Sequence, residues 1–579
     1  MERALIETEL RRRADKYLRQ SHLVVDYYRV RRRVAYPLPL RRLVLPRLAV
    51  PGLSDYPWAT WLSWEIEERI SALGWTGHLF SHKASRTATK LDLFSLSRWP
   101  TYRPVEKPDL SQAHFARTLA LAERQWPWLE HKIRFAIRKA LRRMVNAGLP
   151  TIREGLGRFR DAGEILAQPN APWLVGNIRV IYAIGMALAA NAASHPAANE
   201  LHRCVENLLE ALFQLRRNGL SEAVAYDGYI LDFLISWIEG LPSESKREML
   251  RGPDIARFVD ESFMVSAPGD IMAVAELNDV EPKQMAFHAS ALVRLQPMQP
   301  NPTLAWYCSH CRLDWLRADA LATLYASAGK LGGKPPAAGA LDAHYATVLR
   351  SGWREDDVAV VIGASNSPAS HVHFSNGSIT IGTRQRWFVT SPGYQQFMPT
   401  SEREFTIGKS AHNTPVINGH PQISKAVQRL ALDSLGRDRY RAKLDLTGCY
   451  SAKLRLDMVT RTVWLHRREL VVVADQVAAR SIKSLLYHWH GGMEGAWWIE
   501  DDWAKIHLAD ATLWIHSPQA KTFEVQRLRG SRGQLTLIAE TNSKAQAVWW
   551  IFAFGERKPT ISTRNGGRKL RVGAHFFDA

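Results

Sequence analysis

Ser370-His371-Val372-His373-Phe374-Ser375-Asn376-Gly377-Ser378-Ile379-Thr380-Ile381 lies at the centre of the stretch, residues 348–419, whose reading decides the fold. Two histidines one residue apart on a strand share a face, and the alternation of Ile379 and Ile381 behind them reads as a strand. Trp387-Phe388-Val389-Thr390-Ser391-Pro392-Gly393-Tyr394 and Ser410-Ala411-His412-Asn413-Thr414 follow, so three histidines fall on what read as neighbouring strands. Such a trio fits a metal or a substrate site, although any two of twenty histidines can share a sheet face by chance.

Outward from this stretch the period of two persists. Residues 359–362, 378–381, 387–389, 443–446, 461–465, 470–474, 484–490, 512–516, 535–539 and 548–554 all read as strands of an antiparallel sandwich. Before it stands Gly329-Lys330-Leu331-Gly332-Gly333-Lys334-Pro335-Pro336-Ala337-Ala338-Gly339, a linker by composition. On the N-terminal side of the linker the apolar spacing is helical, with helices expected over 128–145, 177–193, 197–217, 229–239 and from 271 to 277. Turn chemistry at 147–150, 168–170, 195–196, 217–219 and 241–243 separates them, and no strand is expected among them. Runs of helices followed by runs of strands predict segregated all-α and all-β domains. The first fifty residues form a basic arm, a helix through Leu18 and then a proline-broken stretch, expected to wrap its own domain, with an acidic membrane surface or a partner as the other reading.

Composition narrows the function classes. The chain has 579 residues, 46% hydrophobic and 23% charged, as in globular proteins of more than one domain. No apolar run reaches the roughly 20 residues of a membrane span, and the start has no apolar core with a cleavage site, so the expected location is cytoplasmic. Four cysteines are too few for a disulfide framework, and Cys308-Ser309-His310-Cys311 has no second ligand pair for a structural zinc. A net charge of +20 asks for an anionic partner. The arginines are dispersed and no nucleic-acid motif is present, so no nucleic acid is expected. With 21 tryptophans, whose indole faces pack on sugar rings, an acidic polysaccharide or oligosaccharide is the partner expected.

The chain resembles the heparinase II/III-like polysaccharide lyases. The resemblance rests on Val348-Leu349-Arg350-Ser351-Gly352-Trp353, the His371/His373 pair, the turn at 389–393, and Ala411-His412-Asn413-Thr414 with Val416-Ile417-Asn418-Gly419. In the helical part, Asn177 and Ser221-Glu222-Ala223-Val224-Ala225-Tyr226-Asp227-Gly228-Tyr229 look like the family's asparagine and tyrosine segments. The resemblance implies an α/α toroid, an incomplete barrel of helical hairpins, followed by an antiparallel β-sandwich. The expected organisation is an arm over 1–52, the toroid over 53–328, a linker over 329–340 and the sandwich over 341–579.

It also implies cleavage of a uronic-acid-containing polysaccharide by β-elimination. Such an enzyme removes the C5 proton, neutralises the C6 carboxylate and protonates the O4 leaving group. The implied roles are carboxylate binding for Asn177, proton transfer for Tyr226 with Tyr229 in reserve, and proton abstraction or carboxylate neutralisation for His371. Arg179, Arg384, Arg386 and Tyr394 are candidate substrate contacts. The family's structural metal would fall to His373 and His412, but Ser391 stands where its aspartate is expected. A hydroxyl is a poor replacement for that carboxylate, so the expectation is no required cofactor, with a divalent ion such as zinc held weakly if at all. Ile178 and Ser375 also depart from the pattern, which motivates an alternative: a lyase-like protein that binds an anionic glycan in bacterial polysaccharide biosynthesis or processing without cleaving it.

Overall fold

A computed structural model of the protein describes residues 2–27, 32–42, 55–102, 109–280, 282–299, 301–329, 331–392, 401–408, 410–531, 533–542 and 547–579. In the helical half, Asp55–Leu79, Leu110–Gln125, Asn177–Ala192, Ala223–Ile238, Pro282–Leu295 and Ala318–Ser327 form a ring. Each packs on the next, and the last returns to the first. These inner helices are apolar on nearly every side; every residue of Ala223–Ile238 is buried, as expected of a helix walled in by neighbours. Lys83–Ser97, His131–Gly155, Ala198–Arg217 and Pro253–Met264 pack outside the ring. Arg3–Leu18 joins them by burying Ile6, Leu10, Ala14 and Tyr17, one helical face, in the same core.

Charges lace the ring together from within. Glu67 accepts from Arg117 at 2.7 and 2.8 Å, from Arg317 at 3.0 Å and from His114 at 2.7 Å, while Asp232 pairs with Arg117 and with Arg294 at 3.1 Å. Such groups stay buried only because each is paired, and cutting one partner away would leave an uncompensated charge.

Three expectations for this half are corrected. The stretch 271–277 is not helical: Ser266–Ala267 and Asp270–Val274 form a hairpin, with Gly269 at φ +81° in its turn. The turn expected at 147–150 lies inside the helix His131–Gly155, because its buried face continues past Pro150, with Gly148 against Tyr182 and Met186 and Ile152 in the core. The helix expected over 229–239 begins earlier, at Ala223, so Gly228 lies inside it and lets the ring close on His288: a Cβ there would lie 2.6 Å from that side chain.

The C-terminal half is a sandwich of two antiparallel sheets. One runs from Glu524–Gln526 through Thr536–Thr541, Leu485–Gly491, Arg386–Thr390, Ile379–Thr383, Ala359–Gly363 and Ala346–Arg350 to Gly339–Asp342, with Val416–Ile417 paired to Leu485–Gly491. The other runs from Gln428–Ser434 through Arg439–Asp445, Leu456–His466, Leu470–Ala479, Val548–Phe554, Ala511–His516 and Trp503–Leu508 to Ala496–Glu500. Alternation sorts the side chains: Val471, Val473, Trp550 and Phe552 enter the core between the sheets. Val472, Ala474, Trp549 and Ile551 turn outward, where the small sheet Ile561–Arg564, Lys569–Val572 and His575–Asp578 covers them with Leu570, Val572 and Phe577. No helix among the described residues is long and apolar enough to cross a membrane.

Candidate active site

The His371/His373 pair is not on a strand. It belongs to a loop, 364–378, that leaves the sheet after Ala359–Gly363 and returns at Ile379–Thr383. Side chains from the sandwich take the place of ladder partners for this loop. Asn376 accepts from the Ser365 N–H at 2.7 Å and donates to its carbonyl at 3.0 Å. Asn413 does the same for Ile379 at 2.8 Å in both directions. Arg461, locked on Asp475 by two 2.7 Å bonds, donates to the carbonyls of Gly377 at 2.7 Å and Asn413 at 3.1 Å. One buried ion pair thus fixes both segments that carry the histidines.

The loop presses against the toroid. Ser367 donates to the Ser221 carbonyl at 2.6 Å and accepts from its N–H at 3.2 Å. Beside this clasp the His371 Nδ1–H donates to Glu222 Oε2 at 2.6 Å, and Glu222 Oε1 accepts the backbone N–H of Asn177 at 2.7 Å. The Tyr226 ring lies on the imidazole, with centroids 3.7 Å apart and planes 13° from parallel. Asn177, Tyr226 and His371 therefore meet at one place, joined through a carboxylate that sequence reasoning passed over. Glu222 stood in the quoted segment, but nothing in its spacing paired it with a loop 149 residues away.

Two more residues complete the cluster. Asp279 donates its backbone N–H to the His371 carbonyl at 3.1 Å and accepts from His373 Nε2 at 2.6 Å. Lys425 donates to the Ala369 carbonyl at 2.5 Å, and burial, only partly offset by Asp279, brings its ammonium down to about 8. For His371 burial favours the neutral ring, but the hydrogen bond and charge of Glu222, with Asp279 behind, outweigh it and raise the pKa. With Nδ1–H held by the carboxylate, Nε2 is the nitrogen left to take a proton. The buried Asn177 side-chain amide has no hydrogen-bond partner for its Nδ2, a donor awaiting an acceptor.

The remaining candidates lie elsewhere. Tyr229 points into the toroid core, its hydroxyl bonded to His114 and accepting from Trp64 Nε1 at 3.0 Å. Arg179 stacks on Trp173, 3.0 Å from the ring centroid. Arg384 is in the turn between Ile379–Thr383 and Arg386–Thr390, its N–H donating to the Glu355 carbonyl at 2.7 Å, and Arg386 follows on the surface. Tyr394 falls outside the described residues.

His373 and His412 do come together, ring centroids 5.7 Å apart, with His373 Nδ1 and both ring nitrogens of His412 buried and without a hydrogen-bond partner among the described residues. No group of three or more His, Cys, Asp or Glu among the described residues is placed to hold a metal ion. Ser391 brings no charge, and His373 Nε2 is taken by Asp279. Burial and the neighbouring His373 and His490 hold the His412 pKa well below the ordinary value, so it sits neutral.

Comparison with known proteins gives this arrangement a context. Residues 332–570 match the model of the family described as heparinase II/III-like, C-terminal. A crystal structure of heparinase III superposes with a TM-score of 0.63 at 13% identity, over 92% of this chain and 84% of that one. A mutant of heparan sulfate lyase HepC from Pedobacter heparinus superposes with a TM-score of 0.60 at 13% identity, over 98% and 88%. At that identity the likeness shows the shared toroid and sandwich. No curated protein matches the sequence.

Proposed function

We propose that this chain, whose residues 332–570 match the heparinase II/III-like, C-terminal family model and whose fold is shared with heparinase III, is a polysaccharide lyase that cleaves an acidic, uronic-acid-containing glycan by β-elimination. The observation that carries the reading is the Glu222-His371-Tyr226 cluster with the unsatisfied Asn177 amide beside it. His371 Nε2 takes the C5 proton, while Glu222 holds Nδ1–H and stabilises the imidazolium that forms. The Asn177 amide N–H and the Lys425 ammonium lie against the C6 carboxylate, so that charge delocalised from C5 meets donors already in place. The Tyr226 hydroxyl, carried on the ring stacked over the base, protonates the departing O4 and is reprotonated from solvent after product leaves. The C5–H and C4–O4 bonds break, a C4–C5 double bond forms, and the proton gained by His371 returns to solvent.

The test is the ultraviolet absorbance of the unsaturated uronate product on a panel of glycosaminoglycans, alginates and bacterial exopolysaccharides. At least one polymer should give the signal, and His371→Ala or Tyr226→Phe should lower kcat by about 10²–10⁴-fold with the fold intact. One observation favours the second reading, a glycan-binding protein that does not cleave: His371 is only 8% exposed and Tyr226 5%, so substrate must open the cluster to reach the base. Glycan binding without product from any polymer, unchanged in His371→Ala, would establish that reading instead.

A further inference from the structure

Next to the His371 cluster is a concavity. A cavity of about 290 Å³ lies between the hairpin at 266–274 and the sheet, walled by Met272, Met285, Trp315, Trp387 and Met493. The space is at the small end of ligand sites and holds about one sugar ring with its substituents. It adjoins the His371 cluster: Val280, in its wall, follows the Asp279 that holds His373. Val280, Val274 and Met285 also form one apolar cluster with Tyr226, against which Trp387 packs. The hairpin itself is pinned to the sheet, the Trp387 indole N–H donating to the Ala273 carbonyl at 3.2 Å.

Its charge is the informative part. The lining carries one cation, Arg386, and two carboxylates, Glu276 and Glu494; apart from the Gln534 amide, everything else that is large is thioether, indole or aliphatic. A sulfated chain carries further anions beside its uronate, and here they would meet two carboxylates with no second cation to pair with. A uronate carboxylate needs one cation, and two tryptophans with three methionines offer an apolar substituent a surface that adapts to its shape. We infer that this cavity is a subsite for an unsulfated acidic glycan whose sugar bears a small apolar substituent such as an O-acetyl group. The inference rests on the acidic-glycan reading of the adjoining cleft, and narrows it.

The test pairs alginate oligosaccharides with their chemically O-acetylated forms and with heparan sulfate oligosaccharides of equal length, measuring calorimetric Kd and ultraviolet product formation. The O-acetylated chains should bind at least about 10-fold tighter than their parents. The sulfated chains should bind more weakly than both. Trp315→Ala and Met493→Ala, at positions 38% and 57% exposed, should erase the acetyl preference without moving the thermal midpoint. Equal affinity for acetylated and parent chains, tighter binding of the sulfated chain, or a preference that survives both substitutions overturns the subsite. The two readouts separate the claims. A preference without product retires cleavage and keeps the subsite, whereas product without preference does the reverse.

Discussion

At the scale of single residues, the protonation of His371 is the quantity on which catalysis turns. A base works when neutral, and this one has a raised pKa because Glu222 and Asp279 outweigh burial. The rising limb of kcat/KM should therefore lie on the alkaline side of an ordinary imidazole. Glu222→Gln removes the charge and keeps the shape, so that limb should move to lower pH while kcat falls through poorer orientation of the ring. A limb that stays where it is would remove Glu222 from the proton transfer. The same coupling has a folding consequence of definite sign. A histidine pKa raised by folding adds stability that is complete below about pH 6.5 and fades as pH rises through the folded value. Glu222→Gln should therefore cost more stability at pH 6 than at pH 9, which denaturant titrations at the two pH values would measure.

At the scale of elements, the loop 364–378 decides whether the base reaches its place. It turns back into the sheet at Gly377, φ +82°, where an added Cβ would lie 2.8 Å from Leu446 Cδ1. Gly377→Ala should cost about 1–2 kcal/mol for the left-handed backbone alone and more for the contact, with activity falling beyond what the stability loss explains. Gly567→Ala is the control: φ is +91° but nothing lies within 4 Å of the added atom, so its cost is the backbone part and activity stays. Equal losses at the two positions would refute the role given to the loop. The strands flanking the loop, Ala359–Gly363 and Ile379–Thr383, were legible because each is a short run rich in β-branched residues, the composition of a strand buried on both faces. The loop was not, because His371-Val372-His373 alternates like a strand and only the bonds made by the loop's own Asn376 and by the distant Asn413 and Arg461 show that side chains replace the ladder. Asn177, Tyr226 and His371 could be picked out by resemblance and lie together. Asp279 and Lys425 had no local signal, since the segment 271–277 that leads to Asp279 read as helix, and Lys425 is brought in by its loop.

At the scale of the whole molecule, buried histidines set a limit on acid tolerance. Burial holds His114 and His288 at about 4 and His490 at about 3. The unfolded chain takes protons at these positions below about pH 6.5 and the folded one does not, so stability must fall as pH falls. Each of the three should contribute roughly 2 kcal/mol of loss between pH 7.5 and 5, seen as a urea midpoint that drops steeply over that interval. A flat midpoint would mean that the buried rings find protons or partners that the fold does not show. The clasp between Ser221 and Ser367 carries a different lesson. Glu222 belongs to the helical half and His371 to the sandwich, so neither half owns a working base; the dyad exists only while the two are docked. The imidazole is thereby a built-in gauge of domain registration, and a substitution far from the cleft that loosens the seam would be read first as a shift in the pH profile, before any loss of folded protein.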